Sequence, residues 1–67
     1  MVTEEQIKAM KSGEQIITFA GEISNDTILF VLGKESEYDY KGKFVTTKNG
    51  VWYDSKFEIT ITKKWIK

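Results

Sequence analysis

Glu35, Glu37 and Asp39 stand on alternate positions of the 67-residue chain. In extended backbone, alternate side chains share one face, and a row of three carboxylates there could present oxygen ligands to Mg²⁺ or Ca²⁺. Sites for such ions draw carboxylates from more than one element, and no second contributor is evident. The expected reading is therefore an acidic, solvated entry into a strand, with no metal. Asp39-Tyr40-Lys41 matches the acid-x-Lys ending of some nuclease motifs, but three residues carry almost no specificity. The chain has no His and no Cys. Ser-His and Cys-His nucleophiles therefore lack their base or their thiol, and the usual Cys/His zinc site is excluded. The glycines are scattered singly, so no phosphate-cradling loop is present. These absences lead to the expectation of a non-enzymatic protein with no catalytic residues and no cofactor.

Binding chemistry is better represented. Tyr38, Tyr40, Lys41, Lys43, Phe44, Lys48, Trp52, Tyr53 and Lys56 interleave aromatic and basic groups in one stretch. Stacking platforms for single-stranded nucleic acid are built this way, and Lys63 and Lys64 of the tail could extend such a surface. Against it, the net charge is zero and there is no Arg, a poor combination for gripping phosphates. Trp52 is the most informative side chain. A Trp among polar neighbours near a hairpin tip is a frequent interface anchor, unless a helix or the tail covers it. Trp65 and Ile66 in the Lys-rich tail raise the same question. One Trp with a few Lys is too little for membrane attachment.

The remaining composition sets the frame. A chain this short makes one domain, 1–67, and buries only about 60% of its unfolded surface. Without disulfides or zinc, added stability must come from tight packing or self-association, so a homodimer is open. The apolar fraction of 40% and the aromatic fraction of 13% belong to a folded protein. No apolar run is long enough to span a membrane, and Met1 is not followed by a signal-peptide pattern, so a cytoplasmic protein is expected. Charge is unevenly distributed. Residues 1–37 carry seven acids and three Lys, and residues 38–67 carry seven Lys and three acids. Folding either interleaves these charges or leaves a bipolar surface.

The elements that must position these residues can be read in outline. Thr3-Glu4-Glu5-Gln6 is a capping-box helix start, Ile7 and Met10 give an apolar stripe, and Gly13 is a stop, which predicts a helix over 4–12. Alternation predicts a strand over 15–23. Ser24-Asn25-Asp26 reads as a turn, and the β-branched, aromatic segment 27–34 as a central strand. Asn49-Gly50 is a strong hairpin signal between strands 38–48 and 51–63, with positive φ expected at both residues in a type I′ turn. A two-residue loop pairs Lys48 with Val51. Phe44 then faces Ser55, Gly42 faces Phe57, Tyr40 faces Ile59, Tyr38 faces Ile61, Lys41 faces Glu58 and Thr47 faces Trp52. One face becomes aromatic and aliphatic, the other charged and Thr-rich, with Gly42 leaving room for the Phe57 ring. The same logic pairs Gly21 with Phe30, Phe19 with Leu32 and Ile23 with Ile28 in a first hairpin.

The expected fold is α+β: a short N-terminal helix packed on a four- to five-stranded antiparallel meander, either open or curled into a small SH3-like barrel. The fifth strand would arise if the last segment bent at Asp54-Ser55-Lys56. In composition the chain resembles short accessory proteins of low-GC bacteria and their phages, rich in Lys, Glu, Ile and Thr. That resemblance assigns no residue roles. The leading functional expectation is a non-catalytic protein-binding module, of the phage or mobile-element inhibitor or accessory type. Its contact residues would be Trp52, Tyr53, Lys43 and Lys56, with the acidic row Glu35, Glu37 and Asp39. The alternatives are a nucleic-acid-binding domain using Lys41, Lys43, Lys48, Lys56, Lys63, Lys64 and Trp52, and a self-associating structural unit.

Overall fold

In the computed structural model, which describes residues 1–65, the chain runs through a short helix α1 (Glu4–Lys8), strand β1 (Gln15–Phe19), a 3₁₀ turn (Ala20–Glu22), helix α2 (Asn25–Leu32), and two long strands, β2 (Tyr38–Asn49) and β3 (Trp52–Lys63). The strands form one antiparallel three-stranded sheet in the order β1-β3-β2. It is open rather than closed into a barrel. Three strands replace the expected four or five, and β3 continues unbroken through Asp54-Ser55-Lys56.

The helix expected over 4–12 forms, but it is shorter. Thr3 caps it with both halves of the capping box: Thr3 N–H donates to Gln6 Oε1 at 3.0 Å, and Gln6 N–H donates to Thr3 Oγ1 at 3.3 Å. Regular α-structure ends at the Ala9 cap. Gly13 then sits at φ +88° in a separate turn, closed by Glu14 N–H donating to the Lys11 carbonyl. That is the position where a type II turn needs a left-handed residue. Ile7 is fully buried, so even one and a half turns dock.

Segment 27–34 is the main correction. It forms helix α2 rather than a central strand, and the first hairpin does not exist. Ser24 does not sit in a turn; it is the N-cap. Its hydroxyl accepts from Thr27 N–H and lies 2.8 Å from Thr27 Oγ1, while Asp26 occupies the positive end of the helix. Thr27 and Val31, one turn apart, are buried, whereas Leu29 and Leu32 remain exposed. A run that is apolar on all sides fits a helix or a buried strand equally well by periodicity. Topology decides between them. β1 and β2 both pair antiparallel with β3, so they run parallel to each other, and parallel strands need a crossover connection. Residues 20–37 supply it, and strand 15–23 accordingly stops at Phe19. Ile23 is instead buried in an isolated parallel bridge to Val2 near the N-terminus.

The second hairpin forms, with its register displaced by two residues. Asn49 pairs with Trp52, and the loop is Gly50-Val51. Only Gly50 has positive φ, +66°, which is the demand of a type II′ turn rather than type I′. The observed pairs are Tyr40–Ile61, Gly42–Ile59, Phe44–Phe57, Thr47–Asp54 and Lys43–Glu58. A shift of two preserves every face assignment, because side chains alternate with period two. The aromatic-aliphatic face therefore carries Tyr38, Tyr40, Phe57, Ile59 and Ile61 as expected. In β1 the core-facing residues are Ile16 and Thr18, opposite Ile61 and Ile59, while Ile17 and Phe19 lie on the other face.

Both helices pack on the aromatic-aliphatic face. The core is Ile7, Ile23, Val31, Tyr38, Ile59 and Ile61, and Tyr38 donates its buried hydroxyl to the Ile7 carbonyl at 3.1 Å. This core covers only the end of the hairpin where β2 begins and β3 ends. Beyond Phe19 of β1, residues 44–57 continue as a two-stranded ribbon. The molecule is accordingly long, 49 × 22 × 16 Å, with a radius of gyration of 13.6 Å, against about 11 Å for a compact chain of this length.

Candidate binding surface

The ribbon carries four of the ten large apolar side chains that the described residues expose. β2 and β3 each span twelve residues, or about 40 Å, whereas β1 has five and α2 eight. Nothing else in the described chain is long enough to cover the hairpin's far half. Phe44 is therefore 76% exposed, Val51 85%, Trp52 77% and Tyr53 69%. Trp52 and Tyr53, adjacent on β3, point to opposite faces, so the tip is apolar on both sides. Neither α1, α2 nor the described tail covers Trp52.

Local contacts stiffen the ribbon without burying it. Phe44 and Phe57 meet edge to face with ring centroids 5.0 Å apart. Thr46 and Ser55 are 3.1 Å apart through their hydroxyls, and Lys48 lies 6.0 Å from the Tyr53 ring. Gly42 holds the base. A Cβ at this position would clash with the outer edge of the Phe57 ring, its Cζ and Cε2 atoms, which reaches diagonally across the sheet over the glycine. The expected space-making role of Gly42 is thus met through the diagonal neighbour rather than the directly opposed one.

On the face away from the helices, Lys43 pairs with Glu58 at 3.7 Å and Lys56 stands 5.4 Å from the Phe19 ring. Phe19, Val45, Thr47, Asp54 and Lys56 help line a depression of about 380 Å³ there. Lys43, Lys56 and Trp52 therefore share one face, as expected, and Tyr53 lies on the opposite face beside Lys48.

The acidic row is elsewhere. Asp39 lies ten residues before the tip, about 33 Å along β2. Glu37 pairs with Lys34 at 3.8 Å and Lys63 at 3.9 Å; Asp39 pairs with Lys64 at 3.9 Å; and Lys64 Nζ donates to the Glu35 carbonyl at 2.7 Å. These contacts tie the end of β3 to the α2–β2 corner, so at this end the opposite charges of the two halves interleave. No cluster of three or more metal-ligating side chains occurs among the described residues. Of the lysines considered for nucleic acid, Lys63 and Lys64 belong to this corner, and Lys48 lies on the opposite face from Lys41, Lys43 and Lys56. The seven-residue set does not form one surface. Trp65 is exposed, with its indole against Gly13; Ile66 lies outside the described residues. No described helix is long and apolar enough to cross a membrane.

Phe44 and Val51 are contact candidates that face sorting alone misses, because it places Phe44 with the core side chains. The missed signal is length: two helices of five and eight residues cannot span twelve-residue strands. Comparison with protein-family models, with curated proteins and with solved structures returns no match.

Proposed function

We propose that this protein is a non-catalytic protein-binding module, an accessory or inhibitory factor whose β2–β3 ribbon is the contact element. The observation that supports this reading is the apolar ribbon: Val51, Trp52 and Tyr53 at its tip and Phe44 midway along it are held more than two-thirds exposed on an arm that the body does not cover. An isolated two-stranded ribbon is marginal in water, so exposed aromatics on one have a physical rationale if a partner covers them. Large aromatic side chains dominate interface energetics, and both edges of the ribbon beyond Phe19 offer unpaired backbone groups for strand addition. Lys43, Lys56 and Asp54 would form the polar rim on one face. In this reading the row Glu35, Glu37 and Asp39 does not touch the tip-bound partner.

The test is a photo-crosslinker placed at Val51 in the full chain, expressed in its native cell, with Trp52→Ala and Tyr53→Ala as controls. One defined protein species that is lost in both variants supports the proposal. Crosslinking unchanged by both variants, with the fold intact by circular dichroism, refutes the tip as the contact.

A nucleic-acid reading draws on one observation: Lys41, Lys48 and Lys56 make no ion pair among the described residues, and Lys48 and Lys56 stand beside the Tyr53 and Phe19 rings. Two-stranded ribbons fit the major groove. It ranks second because the chain is neutral and Arg-free. Absence of oligonucleotide binding at about 50 mM salt removes it.

A further inference from the structure

We propose that the outer edge of β2 pairs with the same edge of a second copy, antiparallel and centred on Tyr40, joining two sheets into one. β2 is an edge strand of twelve residues. The phase of its hydrogen bonding follows from Lys64 N–H donating to the Glu37 carbonyl and Lys63 N–H donating to the Glu14 carbonyl. Odd-numbered residues of β2 bond to β3, and even-numbered residues turn their N–H and C=O outward. Tyr38 N–H is used by the Lys34 carbonyl at 3.0 Å, so the groups of Tyr40 and Gly42 are the first fully open ones.

Charge selects the register. Reading outward from Tyr40, the chain is antisymmetric: Asp39 against Lys41, and Glu37 against Lys43. In an antiparallel two-fold pairing centred on Tyr40, Asp39 stands opposite Lys41 of the second copy and Glu37 opposite its Lys43. Tyr40 meets Tyr40, exchanging both backbone hydrogen bonds, and Gly42 N–H reaches the Tyr38 carbonyl. Asp39 and Lys41 fall in non-hydrogen-bonded positions, where cross-strand side chains come closest. Neighbouring two-fold registers are penalised by like charges. Centring on Asp39 opposes Asp39 to itself, centring on Lys41 opposes Lys41 to itself, and centring on Gly42 opposes Lys41 to Lys43. An edge protected only by lysines repels every register; among the registers centred from Asp39 to Gly42, this edge favours one, and it is the one that opposes two pairs of unlike charges.

The surroundings fit a second copy. Tyr40 is half-buried, and exposed Leu32 of α2 lines the same depression as Tyr38 and Tyr40, which leaves apolar surface beside the axis. The ion pairs of Glu37 with Lys34 and of Asp39 with Lys64 are long, 3.8 and 3.9 Å, and partly solvated, so these contacts can be exchanged for new partners at little cost; Lys63, the other partner of Glu37, is mostly buried. The ribbon tip is remote from the axis, so this interface and the proposed tip contact are independent.

The experiment is analytical ultracentrifugation of the full chain and two charge reversals, Asp39→Lys and Lys41→Asp. At about 20 mM salt the unaltered protein is expected to dimerise, and at about 1 M salt the dimer is expected to weaken. Each reversal alone faces like charge in its own homodimer and should associate at least tenfold more weakly. Mixed one to one, the two variants face opposite charge and should form a heterodimer. Folding of each variant is checked by circular dichroism. The proposal is overturned by an unaltered protein that stays monomeric to about 1 mM at low salt. It is equally overturned if both reversals dimerise as well as the parent, or if mixing gives no association beyond that of the separate variants.

Discussion

The junction between body and ribbon rests on one glycine, and the substitution Gly42→Ala should change sign with its neighbour. Gly42 does not have positive φ, so Ala is conformationally acceptable there. The obstacle is the Phe57 ring, which occupies the volume a Cβ would take and is itself held edge-on by Phe44. The added methyl forces the ring out of its well, an overpacking cost of about 1–3 kcal/mol. In a Phe57→Ala background the space is vacant, and Gly→Ala should instead stabilise by about 0.4–1 kcal/mol through the unfolded chain. The coupling energy of the cycle is therefore about 1.5–4 kcal/mol, large for a pair involving a glycine. Urea unfolding followed by far-UV circular dichroism measures it, with equal m-values as the check on two-state behaviour. If Gly42→Ala is neutral in both backgrounds, the ring does not lie over Gly42 and the ribbon is anchored by something else.

Three further outcomes are expected. Thr18 Oγ1 is buried and has no hydrogen-bond partner among the described residues, so Thr18→Val should stabilise by about 1 kcal/mol, read from the urea midpoint. Ser24→Ala removes the α2 cap and should cost about 1 kcal/mol, with loss of helical ellipticity if α2 frays. Amide exchange should divide the hairpin: Val45–Lys56 exchange through local fraying, far faster than the β3 amides of residues 58–62 flanked by both neighbours. Uniform protection along both strands refutes an unsupported ribbon.

The parts of this fold that were legible were those with local chemical signatures. Thr3 and Gln6 announced α1, and Asn49-Gly50 announced the hairpin. Helix α2 was not legible in the same way. Ser24-Asn25-Asp26 is both turn chemistry and helix-cap chemistry, and Ile28–Leu32 is apolar at every position. Only the pairing of β1 with β3, between residues 39 to 47 apart, makes a crossover necessary and so selects the helix. The candidate surface was half legible. Trp52 stood out by type and position, while the acidic row attracted notice by spacing alone, and in the structure it is met by Lys34, Lys63 and Lys64.

Sorting residues onto faces and deciding which of them are buried are separate problems, and Phe44 separates them. The turn moved by one residue, which displaced the register by two, and it changed its type, yet no side chain changed face, because an even displacement of register preserves alternation. Phe44 and Ile59 consequently lie on the same face. Ile59 is almost fully buried and Phe44 is largely exposed. The difference lies in what stands above each. Five residues of α1 and eight of α2 extend about 8 and 12 Å along their axes, against strands of about 40 Å. The chain has too few helical residues to cover its own hairpin. The apolar side chains beyond that reach either remain in water or are covered by another molecule, and Val51, Trp52 and Tyr53 gathered at the tip, with Phe44 farther down the same ribbon, favour the second outcome.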